Sequence, residues 1–188
     1  MGTTPTGIPG KSTSVNLLLG LLRPTRGTIT LHGRGPDEAV RAGELGAMLQ
    51  DAALIPELTV KELVDVVRRL YPRPLGLTEI LELADLTELA GRRANKLFGG
   101  QSQRVRFALA IAGAPRILLL DEPTAAMDVE SRLRFWAGTH DYAAGGRTVL
   151  FATHYLEEAD EHSDRVIVIA RSRLAADGTA AEIKAGAG

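Results

Sequence analysis

The 188-residue sequence predicts an α/β domain with a mostly parallel sheet and helices on both of its faces. Short apolar runs that are typical of strands alternate with stretches whose apolar residues recur at helical spacing. The run 117–120 is fully apolar, as expected of a strand that is buried on both faces. A composition of 45% hydrophobic and 24% charged residues is ordinary for a globular protein, and the length suits one domain spanning 1–188.

The first fifty residues predict one helix and two short strands. The helix is expected at 11–22, directly after Gly10, because proline and glycine interrupt the chain soon afterwards. The strands are expected at 28–31, where β-branched residues alternate, and at 45–49. The second strand ends at Gln50, which places an amide at a strand terminus.

Residues 59–112 predict a helical insert. Apolar residues recur at helical spacing in its first part, and again from Ile80 to Leu86, where Thr78 is the expected N-cap. A third helix is expected at about 101–112.

Strand and helix patterns alternate again after the insert. Strands like that at 117–120, buried and part of the parallel sheet, are expected at 149–152 and 166–170, and helices at about 130–137 and 155–161. Ligands of parallel α/β sheets bind at the carboxyl ends of the strands. Asp121 and His154 both follow such strands.

Composition excludes several classes of function. A formal net charge of -1 gives no electrostatic reason to expect nucleic acid as a partner. The lack of cysteine excludes a disulfide framework and makes a reducing cytoplasm the expected compartment. The apolar runs are too short to cross a bilayer, and residues 1–10 lack the layout of a secretory signal. Any membrane-spanning part is therefore expected in another chain.

Asp121 and Glu122 are the first candidates for chemistry. A carboxylate at the end of a buried strand can hold a Mg²⁺-bound water, and a neighbouring carboxylate can polarise an attacking water. The alternative is a strand that runs into an ordinary acidic turn. Four apolar residues before the pair and Pro-Thr after it favour the metal site.

The segment Gly10-Lys11-Ser12-Thr13 is the second candidate. The lysine could reach the β- and γ-phosphates of a nucleotide, the serine could bind its metal, and the helix start could direct its amides at the anion. Taken alone, Gly-Lys-Ser is more often a solvated turn, so its value depends on the other motifs.

Three further segments have both functional and ordinary interpretations. The stretch Leu97–Gln101 is a glycine pair that opens a helix, and it could equally be a simple hinge. Gln50 could be an ordinary polar residue at a strand boundary. His154 could be a surface histidine, but it also lies where a contact with a γ-phosphate would be needed.

Together these segments resemble the nucleotide-binding domain of ABC transporters, a P-loop NTPase fold. The motifs occur in the family's order and at about its spacing, and the resemblance covers residues 10–188. The matching positions are Gly10–Thr13 (phosphate loop), Gln50 (Q-loop), Leu97–Gln101 (signature), Ile117–Glu122 (Walker B), Asp128 (D-loop) and His154 (switch histidine). The tail, T-H-Y-L-E-E-A-D followed by D-R-V-I-V-I, resembles the bacterial drug- and antibiotic-exporting branch.

The resemblance implies a mechanism based on ATP and Mg²⁺. It assigns catalysis to Glu122, which would polarise the attacking water, and to His154, which would contact the γ-phosphate. It assigns nucleotide binding to Gly10, Lys11, Ser12, Thr13, Gln50 and Asp121, of which Ser12, Gln50 and Asp121 would hold the metal.

The resemblance also implies partners. Two such domains would pack head to tail, as a homodimer or a heterodimer, with Asp128 at the interface. The signature residues Phe98, Gly99, Gly100 and Gln101 of each domain would contact the ATP bound by the other. A separate transmembrane permease would dock mainly on the helical insert, which implies a cytoplasmic protein at the inner face of the membrane that exports a substrate.

The sequence departs from the family pattern in its phosphate loop and in its signature. The expected glycines are replaced by Pro5 and Ile8, and Pro9 lacks a backbone N–H. Residues 1–6 are too short and polar for the strand that should enter this loop, so the N-terminal strands are expected to be missing and the domain poorly stable. Phe98 replaces a serine, which removes a hydroxyl that would bind the γ-phosphate.

Three interpretations therefore remain open. The chain could be an active ATPase whose true start lies upstream. It could be a degenerate partner that does not hydrolyse ATP, or a gene fragment. It could also be a soluble ABC-type ATPase that acts on ribosomes or DNA, although such proteins usually carry two domains or a long coiled-coil insert.

Overall fold

The computed structural model describes residues 11–50 and 52–186. These residues form two compact units, one within 37–151 and the other made of 11–36 together with 152–186. The helices are α1 Lys11–Leu18, α2 Pro36–Arg41, α3 Val60–Arg68, α4 Leu77–Leu83, α5 Gly99–Ile111, α6 Val129–Ala144, α7 Leu156–His162 and α8 Ala180–Gly186. The strands are β1 Leu45–Met48, β2 Ile117–Asp121, β3 Thr148–Ala152, β4 Val166–Ala170 and β5 Arg173–Gly178. Short 3-10 turns lie at Thr87–Leu89 and Ala94–Lys96.

The larger unit is organised around a three-stranded sheet in the order β1-β2-β3. Strands β1 and β2 are parallel, and their register pairs Leu45 with Ile117 and Met48 with Leu120. The four apolar residues of β2 are all buried, which confirms the prediction of a strand covered on both faces. The carboxyl ends of β1 and β2 therefore meet at the same edge of the sheet.

Helices α3 to α6 share one apolar core with Leu118 and Leu120 of β2. Phe107 of α5 contacts Phe135 of α6 edge to face, with ring centroids 5.1 Å apart. The fully buried Tyr142 donates its hydroxyl to the carbonyl of Pro115 at 2.8 Å. Burial raises the pKa of Tyr142 above its ordinary value, so this hydroxyl remains a donor at physiological pH.

Helix α3 shows how local chemistry sets an element boundary. The Thr59 hydroxyl accepts a hydrogen bond from the backbone N–H of Glu62, while the Glu62 carboxylate accepts one from the backbone N–H of Thr59 at 2.9 Å. This reciprocal capping box fixes the start of the helix at Val60. The backbone N–H bond from Thr59 also lowers the pKa of Glu62.

Two glycines of the larger unit allow close backbone approaches. A Cβ at Gly46 in β1 would overlap the carbonyl oxygen of Ala110 in α5. A Cβ at Gly138 in α6 would overlap the carbonyl oxygen of Leu83 at the end of α4. The contact surfaces of these elements therefore have no room for a side chain at either position.

The described part of the smaller unit contains α1, the β4–β5 hairpin, α7 and α8. The two strands pair antiparallel, and Arg171 and Ser172 between them have positive φ values of 49° and 58°. Arg165 and Asp177 form an exposed ion pair beside the hairpin, with Arg165 Nε 2.7 Å from Asp177 Oδ1. Of the helices within residues 11–50 and 52–186, none combines the length and apolar character required to span a membrane.

The structure corrects three predictions about local elements. The prediction of a strand at 28–31 is wrong. Leu31 pairs with Arg34 across a tight turn, and this bridge is not extended into a ladder among the described residues. Thr78 is not an N-cap, because the first helical hydrogen bond of α4 is accepted by the carbonyl of Gly76. The strand at 166–170 exists, but it pairs antiparallel with β5 rather than joining the parallel sheet.

Other differences concern burial and length. Strand β3 is not buried on both faces, since Leu150 is exposed while Val149 and Phe151 pack against the core. Helix α1 ends at Leu18, four residues before the predicted end, and α6 extends to Ala144. The strand at 45–49 and the helix at about 101–112 are confirmed within two residues as β1 and α5. The definition of 59–112 as an insert stays a prediction.

We expect Gly138→Ala to destabilise the protein by about 1–3 kcal/mol, although alanine is intrinsically the better helix former. The new methyl group would overlap the Leu83 carbonyl, so α4 and α6 would have to separate. Urea unfolding of Gly138→Ala measures the effect. The control is Gly91→Ala, where a Cβ would meet no atom within 4 Å. Equal free energies of unfolding for the two variants would contradict the close packing of α4 against α6.

Candidate functional site

The edge of the sheet where β1 and β2 end carries three of the predicted site residues. Asp121 is the last residue of β2 and is half-buried. Glu122 follows with a φ of 48°, a left-handed conformation that a residue with a side chain adopts at a cost. Gln50 lies two residues after β1 and is exposed. Because Met48 is in register with Leu120, the structure brings Gln50 to the same sheet edge as the two carboxylates.

A compact turn leads from Glu122 to helix α6. The carbonyl of Glu122 accepts a hydrogen bond from the N–H of Ala125 at 3.3 Å, and that of Thr124 accepts one from Met127 at 3.0 Å. Thr124 is buried. The left-handed residue and this turn redirect the chain immediately after the buried strand, so the Glu122 side chain starts from a fixed backbone position.

Asp128 is the N-cap of α6. Its carboxylate accepts hydrogen bonds from the Ser131 backbone N–H at 2.8 Å and from the Ser131 hydroxyl at 3.2 Å. These two bonds, the backbone one first, lower the pKa of Asp128. The structure thus gives Asp128 a role in the folded chain itself, whereas its predicted place in a dimer interface stays a prediction.

The predicted signature segment forms the start of α5. Phe98 is the N-cap residue, but a phenyl ring cannot accept the hydrogen bond that a serine would take there. The other half of the capping arrangement is present, because the Gln101 side chain accepts a bond from the Phe98 N–H at 3.3 Å. The Phe98 side chain is 75% exposed.

The glycines of this segment lie against the turn before α6. A Cβ built at Gly99 would be 3.1 Å from the Cβ of Ala126, and one at Gly100 would be 3.6 Å from Met127 and Ser131. The structure therefore brings the signature segment and the Asp128 turn together. It also links α5 to the segment after Gln50, because Arg106 Nε donates to the Ala52 carbonyl at 2.8 Å.

The remaining predicted residues belong to the smaller unit. Helix α1 begins at Lys11 and includes Ser12 and Thr13, with no acidic residue in its first turn. His154 is exposed, follows β3, and has its ring 4.0 Å from the ring of Tyr155. The backbone of this turn is held by Thr153, whose hydroxyl accepts from the Tyr155 N–H at 3.1 Å.

The described residues of the predicted site therefore fall into two groups, one in each unit. Gln50, Asp121 and Glu122 share a sheet edge in the larger unit, where the signature segment and Asp128 are neighbours. Gly10 and the altered residues Pro5, Ile8 and Pro9 lie outside the described residues. A joint site that combines Lys11, Ser12, Thr13 and His154 with Asp121 stays a prediction.

The donor groups at these positions fit a magnesium nucleotide. Mg²⁺ prefers oxygen ligands and is usually held by one or two carboxylates together with substrate phosphates. Asp121 supplies a carboxylate and Gln50 an amide oxygen at one edge. Among residues 11–50 and 52–186, no group of three or more histidine, aspartate and glutamate side chains could hold a metal by itself.

The sequence matches a family model and several curated proteins. Residues 5–125 match the family model described as ABC transporter. The daunorubicin resistance ATP-binding protein DrrA3 of Streptomyces coeruleorubidus is 36% identical over 188 residues, covering 95% of this chain and 59% of that protein. The sulfate/thiosulfate import ATP-binding protein CysA of Synechococcus elongatus is 39% identical over 183 residues, covering 93% of this chain and 53% of that protein. The chain thus spans somewhat over half the length of these curated relatives.

Solved structures with similar folds include nucleotide-bound ABC proteins. The dimeric post-hydrolysis state of the ATP-binding cassette MJ0796 with ADP and Pi matches with a TM-score of 0.77 and 28% identity, covering 90% of this chain and 80% of that one. A bacterial Atm1-family ABC exporter with ATP bound matches with a TM-score of 0.80 and 26% identity, covering 95% of this chain and 33% of that one.

We expect Asp128→Asn to lower the melting temperature more at pH 7 than at pH 3. The Ser131 hydrogen bonds lower the pKa of Asp128 from its ordinary value of 3.8, so their stabilisation is complete above that value and decreases as the pH falls from it through the lowered pKa. Asparagine retains the cap but not the charge. Thermal melts of both proteins at the two pH values measure this difference. An equal difference in melting temperature at both pH values would show that the carboxylate charge contributes nothing to stability.

Proposed function

We propose, because this chain belongs to the ABC transporter family, that it is the ATP-binding subunit of a transporter whose membrane-spanning part is a separate chain. Its task would be to couple ATP binding and hydrolysis to transport. The observation that carries the proposal is the sheet edge at which Asp121 and Glu122 follow a fully buried strand, with Gln50 at the end of the neighbouring parallel strand. Ligands bind at this edge of parallel α/β sheets.

Each residue of the site has a proposed role. Asp121, Gln50 and Ser12 hold Mg²⁺, while Lys11 and the N–H groups at the start of α1, with Gly10 and Thr13, bind the phosphates. Glu122 accepts a hydrogen bond from the attacking water and polarises it, and its fixed left-handed backbone orients the carboxylate for that task. His154 contacts the γ-phosphate. The metal, when bound with ATP, neutralises phosphate charge.

The proposed active form contains two ATP-binding subunits. The start of α5, from Phe98 to Gln101, faces the ATP of the opposite subunit and directs its free N–H groups at the γ-phosphate. The Asp128 turn lies directly beside this helix start, which places it at the same interface. The dimeric structure of the ATP-binding cassette MJ0796 with ADP and Pi supports an active form with two subunits.

We further propose that the subunit serves export and is located at the cytoplasmic face of the membrane, held there by its permease. The relatives include an ATP-binding protein of daunorubicin resistance and a Nod factor export protein of Burkholderia orbicola, which support export. A sulfate/thiosulfate import protein matches about as well, so the direction rests mainly on the tail sequence around His154.

A second candidate function is that of a non-hydrolysing partner in an asymmetric pair. It is favoured by Phe98, which removes the serine hydroxyl and exposes an apolar ring at the start of α5. This candidate predicts ATP-dependent pairing with a sister subunit but no turnover by the chain itself.

We expect Glu122→Gln to lower ATP turnover by at least about 100-fold while ATP binding is retained, because the amide cannot act as a general base. Steady-state phosphate release and equilibrium binding of ATP by the full chain measure the two effects. Glu88→Gln, which changes an exposed glutamate outside the predicted motifs, is the control. Turnover that survives Glu122→Gln would overturn the proposed role, and an inactive parent would favour the non-hydrolysing partner.

We expect Phe98→Ser to raise turnover, or the affinity of ATP-dependent pairing, by about 10- to 100-fold. A hydrogen bond to a charged group contributes about 1.5–3 kcal/mol, and the serine would also cap α5. Phe98→Ala separates the hydroxyl from the removal of bulk. If alanine produced the same gain as serine, the bulk of the ring rather than the missing hydroxyl would be the cause.

A further inference from the structure

Asp85 has a backbone conformation that normally belongs to glycine. It follows α4 with a φ of 51°. The N–H of Leu86 bonds to the carbonyl of Leu81 at 2.7 Å, and the N–H of Asp85 bonds to that of Glu82 at 3.0 Å. These two bonds define a Schellman motif, whose left-handed residue is usually glycine because it has no Cβ. Aspartate adopts this conformation less readily than glycine, and its side chain makes contacts that a glycine could not make.

The Asp85 carboxylate joins two arginines from different helices. Arg104 of α5 donates from Nη1 both to Asp85 Oδ2 and to the Asp85 main-chain oxygen, the latter at 2.6 Å. Arg134 of α6 places its Nε 3.1 Å from the same Oδ2. The Arg104 side chain is only 8% exposed, whereas Asp85 and Arg134 are about half exposed. One carboxylate therefore ties the end of α4 to both α5 and α6.

The position of Arg104 on α5 gives this contact its importance. Arg104 lies five residues after Gly99, which corresponds to about 7.5 Å along a helix. A buried arginine held at two oxygen atoms restricts both rotation of the helix and sliding along its axis. Under the proposed function, the start of the helix faces a nucleotide across a subunit interface. A misplacement of about 1 Å at such a site can lower the reaction rate about 100-fold.

We propose that Asp85 is a positioning residue for the start of α5, acting through Arg104 on the ATP bound by the opposite subunit. The inference rests on the proposed function. It predicts that loss of the carboxylate impairs pairing across the interface while the chain's own phosphate site is unaffected. A merely structural role would instead lower stability and affect all activities together.

The test uses the full chain carrying Glu122→Gln, so that bound ATP is not consumed. Asp85→Gly removes the carboxylate and relieves the left-handed strain in one step. Because it leaves the buried Arg104 with fewer partners, Asp85→Gly/Arg104→Met is made as well, since a well-packed apolar side chain can replace a buried ion pair without loss of stability. Asp141→Asn is the matched control, an exposed carboxylate on α6.

Sedimentation velocity with and without Mg·ATP measures pairing, fluorescence titration measures ATP affinity, and thermal melts measure stability. We expect both Asp85 variants to pair at least about tenfold more weakly, with ATP affinity unchanged and the double variant as stable as the parent. Asp141→Asn should pair like the parent. Hydrogen exchange at residues 99–102 should be faster in both Asp85 variants, independently of any pairing.

The two possible failures are distinguishable. If the parent does not pair with itself under Mg·ATP and does not bind the nucleotide, the proposed function is overturned. If the parent pairs and the Asp85 variants pair equally well, the positioning role is overturned while the proposed function stands. Unchanged hydrogen exchange at residues 99–102 in both variants would overturn the positioning role in either case.

Discussion

The burial of β2 is the constraint on which the candidate site depends. Its four apolar residues are covered on both faces, and its backbone pairs with β1 in a fixed parallel register. A strand held in this way cannot shift by one residue without moving polar groups into the core. The carboxylates of Asp121 and Glu122 therefore appear at a defined edge of the sheet, together with the residue that ends the neighbouring strand.

The turn after β2 joins this fixed edge to the helix start that is proposed to face a second subunit. Glu122 takes a left-handed conformation, the chain reverses, and Asp128 caps α6 through Ser131. The signature glycines pack on this turn because a side chain at Gly99 would press against Ala126. The proposed catalytic carboxylate and the proposed partner-facing helix start are thus held by one short segment, which suits an enzyme whose site is completed by a second subunit.

Sequence patterns predicted the elements whose signal is local. The apolar run of β2 and the helical spacing of α3 correspond to burial and a capping box that the structure shows. The prediction of a strand at 28–31 was wrong because residues with a high strand propensity form a strand only beside a pairing strand, and Leu31 bridges only to Arg34 among the described residues. Thr78 failed as an N-cap because the carbonyl of Gly76 accepts the first helical bond. The antiparallel pairing of β4 depends on β5, which the pattern did not reveal.

For the site, the sequence placed Asp121, Glu122 and Gln50 correctly at strand ends, since that prediction needs only strand direction. The contact of Arg104 with Asp85 joins residues nineteen positions apart on elements that no periodicity relates, so it could not be predicted. The same holds for Arg106 and Ala52. The meeting of Lys11 and His154 with Asp121 stays a prediction.

The glycine at position 46 has a mechanical consequence. With the Ala110 carbonyl lying directly over it, β1 and α5 have no layer of side chains between them that could deform at this point. We therefore expect the strand and the helix to move together at this contact. Because Arg106 of the same helix also bonds to the carbonyl of Ala52, a displacement of α5 would be transmitted directly to the segment that carries Gln50.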